Sequence, residues 1–238
     1  MLKALLTDID GTITTPDRRI CTGAIGLIRS LIDNGTEVVL ASGNTPCFMD
    51  ALCKMIGTTG TFIADNGGVF RIGYTGQPVI RGNQDVVRTA LKTVQDHFHD
   101  KGITLDLYSP TYRFSDLAFA RTVSSDEVRA VLRDQPVQVI DTGYAIHLQA
   151  PGISKGTALV ELAGKMGLAP ADFLAIGDSL NDVQMLKTAG IGIAVANAHP
   201  DTKAVAAYIA GKEDGDGFVE AIKMYSSYFR ARKRSTTI

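Results

Sequence analysis

The sequence predicts an α/β fold, a parallel-sheet core of Rossmann-like type carrying a small inserted α+β domain. Both ends of the 238-residue chain alternate short apolar runs with helical periodicity. The middle instead repeats helix–strand–strand twice, the order of a small unit with an antiparallel sheet. Small or acidic residues also follow directly on the apolar runs, at the strand ends where parallel α/β sheets bind ligands.

Residues 3–7 read as a first strand, and 22–34 as a helix with Ile25, Ile28, Leu31 and Ile32 on one face, closed by Asn34-Gly35. EVVLAS (37–42) lacks polar alternation, as a strand covered on both faces should. A helix over about 46–56 and the strand TFIA (61–64) come next. GVFRI (68–72) and QPVIR (77–81) then pair as a hairpin. The insertion spans 83–151. It holds a helix over 84–100, strands near 103–107 and 117–121, a second helix near 125–133, and strands VQVID (137–141) and YAIHL (144–148). Residues 1–82 and 152–238 form the core domain. Its second part reads as helix 155–166, strand FLAIG (173–177), helix 181–188, strand GIGIAV (190–195) and helices near 201–206 and 216–229. The basic tail RARKR (230–234) reads as a solvated helix end.

Composition narrows the function classes. Hydrophobic residues make up 45% of the chain, enough for a sizeable core. With 24 basic and 25 acidic residues the formal charge is −1, which gives no electrostatic reason to expect nucleic acid or a membrane surface as partner. Cys21, Cys47 and Cys53 are odd in number and lack CxxC spacing, so reduced thiols and a cytoplasmic location are expected. The N-terminus reaches Asp8 too soon for a signal peptide, and no apolar run approaches the length of a membrane span. A monomer or a homodimer is expected.

The chemistry lies in the strand ends. In LLTDIDGTIT (5–14), Asp8 and Asp10 are two apart and share a face of the strand. Two like charges held there repel unless a cation lies between them or one carries a proton. EVVLAS runs into Ser42-Gly43-Asn44, and FLAIG into Asp178-Ser179-Leu180-Asn181-Asp182. Lys155 starts a helix, where the macrodipole disfavours a cation unless an anion sits beside it. Asp8, Asp10 and Asp178 offer hard oxygens with no histidine or cysteine nearby, which suits Mg²⁺. Lys155 and the Ser42 hydroxyl supply charge and a donor for a phosphate. One carboxylate can attack phosphorus, and a second can protonate the leaving oxygen and then activate water.

DIDGT (8–12), Ser42, Lys155 and GDSLND (177–182) resemble, in order, the four motifs of the haloacid dehalogenase superfamily of phosphohydrolases. The resemblance implies Asp8 as nucleophile and Asp10 as general acid/base. It implies Ser42 and Lys155 as phosphoryl ligands, with Gly43, Asn44 and Asn181 of the same motifs also at the substrate. Asp8, the Asp10 carbonyl and Asp178 would hold Mg²⁺, with Asp182 as a further ligand or just behind them. It also implies that the insertion is a type-two cap in its smallest form. The second motif departs from the Thr-Gly-Arg usual in the large sugar-phosphatase branch. SGN, followed by DNGG (65–68), is similar to the archaeal phosphoglycolate phosphatase branch, which implies a small phosphorylated acid as substrate. A sugar or polyol phosphate is the alternative. A receiver-like signalling module and a non-catalytic binding protein are rivals from other classes, the first being about half this length and lacking DxDGT.

Substrate choice must then come from the insertion. Arg113, between Tyr112 and Phe114 in SPTYRFSD (109–116), either stacks on these aromatics at the surface or grips a substrate carboxylate with its planar fork. In YAIHLQ the alternation puts Tyr144, Ile146 and Leu148 on a packed face and His147 and Gln149 on an open one. His97 and His99 point to different faces of one helix and read as surface residues, and KEDGDG (212–217) reads as a turn.

Overall fold

The computed structural model describes residues 1–229, so the basic tail at 230–234 lies outside the described residues. In the core, β1 (Ala4–Thr7) leads to α1 (Thr22–Asp33), β2 (Glu37–Ala41), α2 (Pro46–Ile56) and β3 (Phe62–Ala64). β4 (Val69–Arg71) and β5 (Val79–Ile80) complete the first part as a hairpin. The insertion contributes α3 (Gln84–His99), β6 (Leu117–Ala120), α4 (Ser125–Val131), β7 (Gln138–Asp141) and β8 (Ala145–Gln149). The chain then returns with α5 (Lys155–Lys165), β9 (Phe173–Gly177), α6 (Val183–Thr188), β10 (Ile191–Ala194), α7 (Pro200–Val205), β11 (Tyr208–Ile209) and α8 (Asp214–Tyr225).

The main sheet has the order β11-β10-β9-β1-β2-β3-β4-β5, parallel except for the antiparallel β3-β4-β5 edge. β1 lies between β2 and β9, so the first and last parts of the core interleave around it. That makes β1 the point where the strand order reverses, the ligand-binding position of open α/β sheets. Alternation along the strands sends Leu5, Val38, Leu40, Leu174 and Ile176 to one face, packed on α1, α2 and α8. It sends Leu6, Val39, Ala41, Phe173 and Ala175 to the other, packed on α5 and α6. Both faces are covered, which is why these strands show no polar alternation.

Residues 84–149 build a separate three-stranded antiparallel sheet, β6-β8-β7, with α3 and α4 on one face. Its apolar core draws on this segment alone, with Val87, Val94, Phe98, Phe119, Val128 and Ile146 among its members. The strand expected at 103–107 does not form. Leu107 makes a single bridge to Phe119, and the chain then leaves the sheet through Ser109, at a left-handed φ of 50°, and a tight turn over 110–112. That excursion carries Arg113 toward the core instead of extending the sheet. Tyr144 precedes β8 and is exposed, so the packed face of that strand is Ile146 and Leu148 only. Residues 214–217 form the first turn of α8, whereas the sequence predicts a turn there.

The two units meet at DNGG. Asp65 and Asn66 have φ of 46° and 52°, and Gly67 has φ of 95°. A Cβ on Gly67 would lie 2.1 Å from the Ser154 carbonyl oxygen, and both partners are backbone, so neither can yield cheaply. Gly67→Ala is therefore expected to cost about 1–3 kcal/mol or more in stability. A drop of several degrees in Tm checks it, and an unchanged Tm would contradict this contact.

Candidate active site

Three strand ends and one helix start converge. β1 ends in Asp8, almost fully buried. Beyond it the chain tightens, with the amides of Thr12, Ile13 and Thr14 all donating to the Ile9 carbonyl. Gly11 has φ of 80°, and a Cβ there would be 2.6 Å from Asp178 Oδ2. The turn therefore lies directly against the acidic loop after β9, where Thr12 Oγ1 donates to Asp178 Oδ1 at 3.1 Å.

Lys155 is the first residue of α5, held in place by Ser154, whose hydroxyl caps Thr157 while the Thr157 hydroxyl accepts from the Ser154 amide. It is fully buried, and its Nζ donates to Asp8 Oδ1 at 2.5 Å and to Asp182 Oδ1 at 2.6 Å. The anion that makes a helix-start lysine tolerable is thus a pair of carboxylates. Burial works against the ammonium, but Asp182 and Asp8 outweigh it and hold Lys155 above the ordinary lysine range. Asp182 Oδ2 accepts from the amides of Asp178 and Ser179, both at 3.1 Å. Both Asp182 oxygens are therefore engaged by the protein, tying Lys155 to the Asp178 loop.

Carboxylate oxygens of Asp8, Asp178 and Asp182 lie within 4.8 Å of one another. Burial, reinforced by Asp182, pushes the Asp178 carboxyl up to about 7. Burial, again with Asp182, raises Asp8 well above its usual range despite Lys155. Three acids face one ammonium, so a divalent cation fits the charge, and the donors are all hard oxygens. The Asp10 carbonyl accepts no hydrogen bond from the described residues and can join such a set.

Asn44 joins the other side of the site. Its Nδ2 donates to Asp10 Oδ2 at 2.8 Å and to Ser42 Oγ at 2.9 Å, and its backbone amide also reaches Ser42 Oγ at 3.1 Å. With its lone pairs used, the Ser42 hydroxyl has its proton to donate. Asn181 Nδ2 donates to Asn66 Oδ1 at 2.8 Å, and Ser179 Oγ donates to Asn181 Oδ1 at 2.5 Å. Asn44, Ser179 and Asn181 border a cavity of about 370 Å³ between core and insertion, whose wall also includes Asp8, Asp10, Ser42, Arg113 and His147.

The structure brings the sequence-predicted residues together in and around this cavity. Gly43 contributes its carbonyl, which accepts from Arg113 Nη1 at 3.0 Å. Arg113 is 5% exposed, and its Nε donates to the Tyr108 carbonyl while Nη1 also reaches Asp116 Oδ1 at 2.7 Å. Only Nη2 is left for a ligand, so the two-nitrogen grip expected from the sequence is not available. His147 and Gln149 lie on a buried face against the core, and His97 is half-buried beside Glu127. Sequence reasoning missed Asp65, Asn66 and Asp116. The DNGG run was a visible signal for the first two, since Asp, Asn and Gly are the residue types that tolerate left-handed backbone. Asp116 carried none.

Comparison with known proteins gives consistent results. Residues 5–116 and 117–222 match the haloacid dehalogenase-like hydrolase family. A phosphoglycolate phosphatase of Methanoculleus marisnigri is 58% identical over 98% of this chain and 100% of its own length. One from Methanospirillum hungatei is 47% identical over the same shares. A crystal structure from Thermoplasma acidophilum superposes with a TM-score of 0.84 at 26% identity, covering 95% of this chain and 99% of that one.

Lys155→Met would leave Asp8 and Asp182 buried without their ammonium. Breaking a buried pair in this way costs about 3–5 kcal/mol, read as a lower denaturation midpoint near neutral pH. Burial already raises the Asp8 carboxyl, and without the ammonium it would bind a proton more readily in the folded variant than in its unfolded chain, so the deficit should shrink as pH falls. A midpoint equal to wild type at neutral pH would contradict the pairing.

Proposed function

Since the chain belongs to the haloacid dehalogenase-like hydrolases, we propose that it hydrolyses 2-phosphoglycolate to glycolate and phosphate through an aspartyl-phosphate on Asp8. The observation that carries the chemistry is the pairing of a buried Asp8, held by Lys155, with Asp10 two residues on and held by Asn44. The substrate is supported by the relatives that carry that name over nearly the whole chain.

In this reading Asp8 Oδ2, the oxygen not held by Lys155, attacks phosphorus. The bond from phosphorus to the ester oxygen breaks, and Asp10 gives its proton to the leaving alkoxide. Asp10, now a carboxylate, takes a proton from water. The resulting hydroxide displaces Asp8 from phosphorus and releases phosphate. Ser42 donates to a phosphoryl oxygen, and Lys155 draws negative charge from Asp8 and phosphoryl oxygens as it builds. Asn44 orients Asp10 in both half-reactions. We assign Mg²⁺ to Asp8, Asp178 and the Asp10 carbonyl, where it would balance charge on the phosphoryl oxygens. Asp182 and Asn181 shape the loop that carries Asp178.

Residues 83–151 form the cap in this reading, closing the cavity over the substrate, while 1–82 and 152–238 form the catalytic core. No helix among the described residues is long and apolar enough to cross a membrane. The proposed setting is the cytoplasm, with a small phosphorylated metabolite as the partner and the protein a monomer or homodimer.

Asp8→Asn should abolish turnover with the fold intact, because an amide does not attack phosphorus. Circular dichroism with a phosphate-release assay checks this, and activity within tenfold of wild type would remove Asp8 as nucleophile. Asp10→Asn should slow turnover by about 10²–10⁴, most with poor leaving groups. Chelation should silence the enzyme and Mg²⁺ restore it, with Asp178→Ala needing far more Mg²⁺ than wild type. Across a panel of phosphorylated metabolites, 2-phosphoglycolate should give the highest kcat/KM. A sugar or polyol phosphate above it would overturn the substrate reading alone.

A further inference from the structure

A second polar cluster lies under the insertion, beside the phosphoryl site but outside its chemistry. Asp116 is completely buried and accepts on both oxygens, from Arg113 Nη1 at 2.7 Å on Oδ1 and from His147 Nδ1 at 2.7 Å on Oδ2. A carboxylate oxygen that close requires the proton on Nδ1, so His147 donates there. Asn66 Nδ2 lies 3.0 Å from the same ring nitrogen and finds its acceptor in Asp116 Oδ2 at 3.3 Å. The other ring nitrogen, Nε2, makes no hydrogen bond with the described residues. It is also absent from the buried polar atoms left without a partner, which are Asp65 Oδ1 and Arg71 Nε. With the ring only 4% exposed and part of the cavity wall, Nε2 opens into the cavity.

The charges around the ring leave room for one more anion. Burial, with Asp116 beside it, pushes the Asp65 carboxyl up to about 8, which weakens its negative charge next to the ring. Asp116 and Arg113 then balance each other. The remaining charged groups on the cavity wall are Asp8, Asp10 and Arg18, away from this cluster's hydrogen bonds. With both ring nitrogens as donors, Asp116 behind the ring accepts from Nδ1 and an incoming carboxylate in front would accept from Nε2. The cluster is also fixed relative to the phosphoryl site, because Asn66 Oδ1 accepts from Asn181 Nδ2 at 2.8 Å in the loop that carries Asp178 and Asp182.

We infer that His147, oriented by Asp116, recognises the carboxylate of the substrate through Nε2, with Arg113 Nη2 alongside. The inference rests on the reading of the substrate as a phosphorylated small acid and adds the residue that reads the acid. Arg113 spends most of its donors tying the insertion to Gly43 and to Asp116, so the group free to select the ligand is the imidazole. His147 is a substrate-contacting residue here, and Asp116 a positioning one.

Ethyl phosphate is the probe, because it equals 2-phosphoglycolate with a methyl group in place of the carboxylate. Wild type should favour phosphoglycolate strongly in kcat/KM. His147→Asn keeps an amide donor at the Nδ1 position for Asp116 but has nothing at Nε2, whereas His147→Gln can place an amide near Nε2. His147→Asn and His147→Ala should both lose at least about tenfold on phosphoglycolate, mainly through KM, and stay within about threefold of wild type on ethyl phosphate. His147→Gln should recover part of the loss. If His147→Asn retains the wild-type preference, or both substrates fall equally, the role of His147 is structural and the inference is overturned. A wild-type enzyme that turns over both esters yet shows no preference overturns the substrate reading itself, and this inference with it.

Discussion

A buried ammonium between two carboxylates is the constraint around which this molecule is arranged. Lys155 sits wholly out of water with Asp8 and Asp182 on its Nζ. Such a group is tolerable only if its partners are held at hydrogen-bond distance, because desolvation of each charge costs several kcal/mol when the pairing is imperfect. The three residues are far apart in sequence, so the pairing requires β1, the start of α5 and the loop after β9 to meet at one point. The parallel pairing of β1 with β9 and the cap of α5 by Ser154 supply that meeting. The glycine turn after Asp8 then lets Asp178 approach closely enough to complete an acidic cluster whose repulsion a cation relieves.

The cap junction follows from the same logic. Asp65 and Asn66 hold left-handed backbone conformations that cost of order 1–3 kcal/mol each, and the contacts they make explain why the strain persists. Asp65 accepts from the amides of Phe114 and Ser115, and its carbonyl accepts from Gln149. Asn66 bridges Asp116 on the insertion to Asn181 on the core. Arg113 adds a contact from the insertion to the Gly43 carbonyl, one residue past Ser42. The insertion is therefore joined to the proposed phosphoryl site by directional polar contacts.

Much of this was legible in the sequence, and the reasons are local. Uninterrupted apolar runs such as EVVLAS and FLAIG mark strands buried on both faces, and the boundaries of α2 and β9 follow from flanking Thr-Pro, Gly and Asp residues. The acids at 8, 10, 178 and 182, the serine at 42 and the lysine at 155 stand at strand ends or a helix start, where residue type alone indicates chemistry. Shorter-range errors arose where tertiary contacts override local pattern. Residues 103–107 have strand composition, but the chain leaves the sheet to deliver Arg113 to the core.

What the sequence by itself determined is the alternation of elements, the family and the set of candidate reacting groups, because periodicity and motif spacing are properties of neighbours along the chain. Only the tertiary structure decided how charges are shared. Asp182 spends both oxygens on the protein, Lys155 is clamped by two acids, Arg113 is largely committed, and His147 turns inward with one nitrogen open to the cavity. Each outcome depends on which groups meet after folding and how much water is excluded between them. Burial sets the cost of every unpaired charge, and burial belongs to the packed fold.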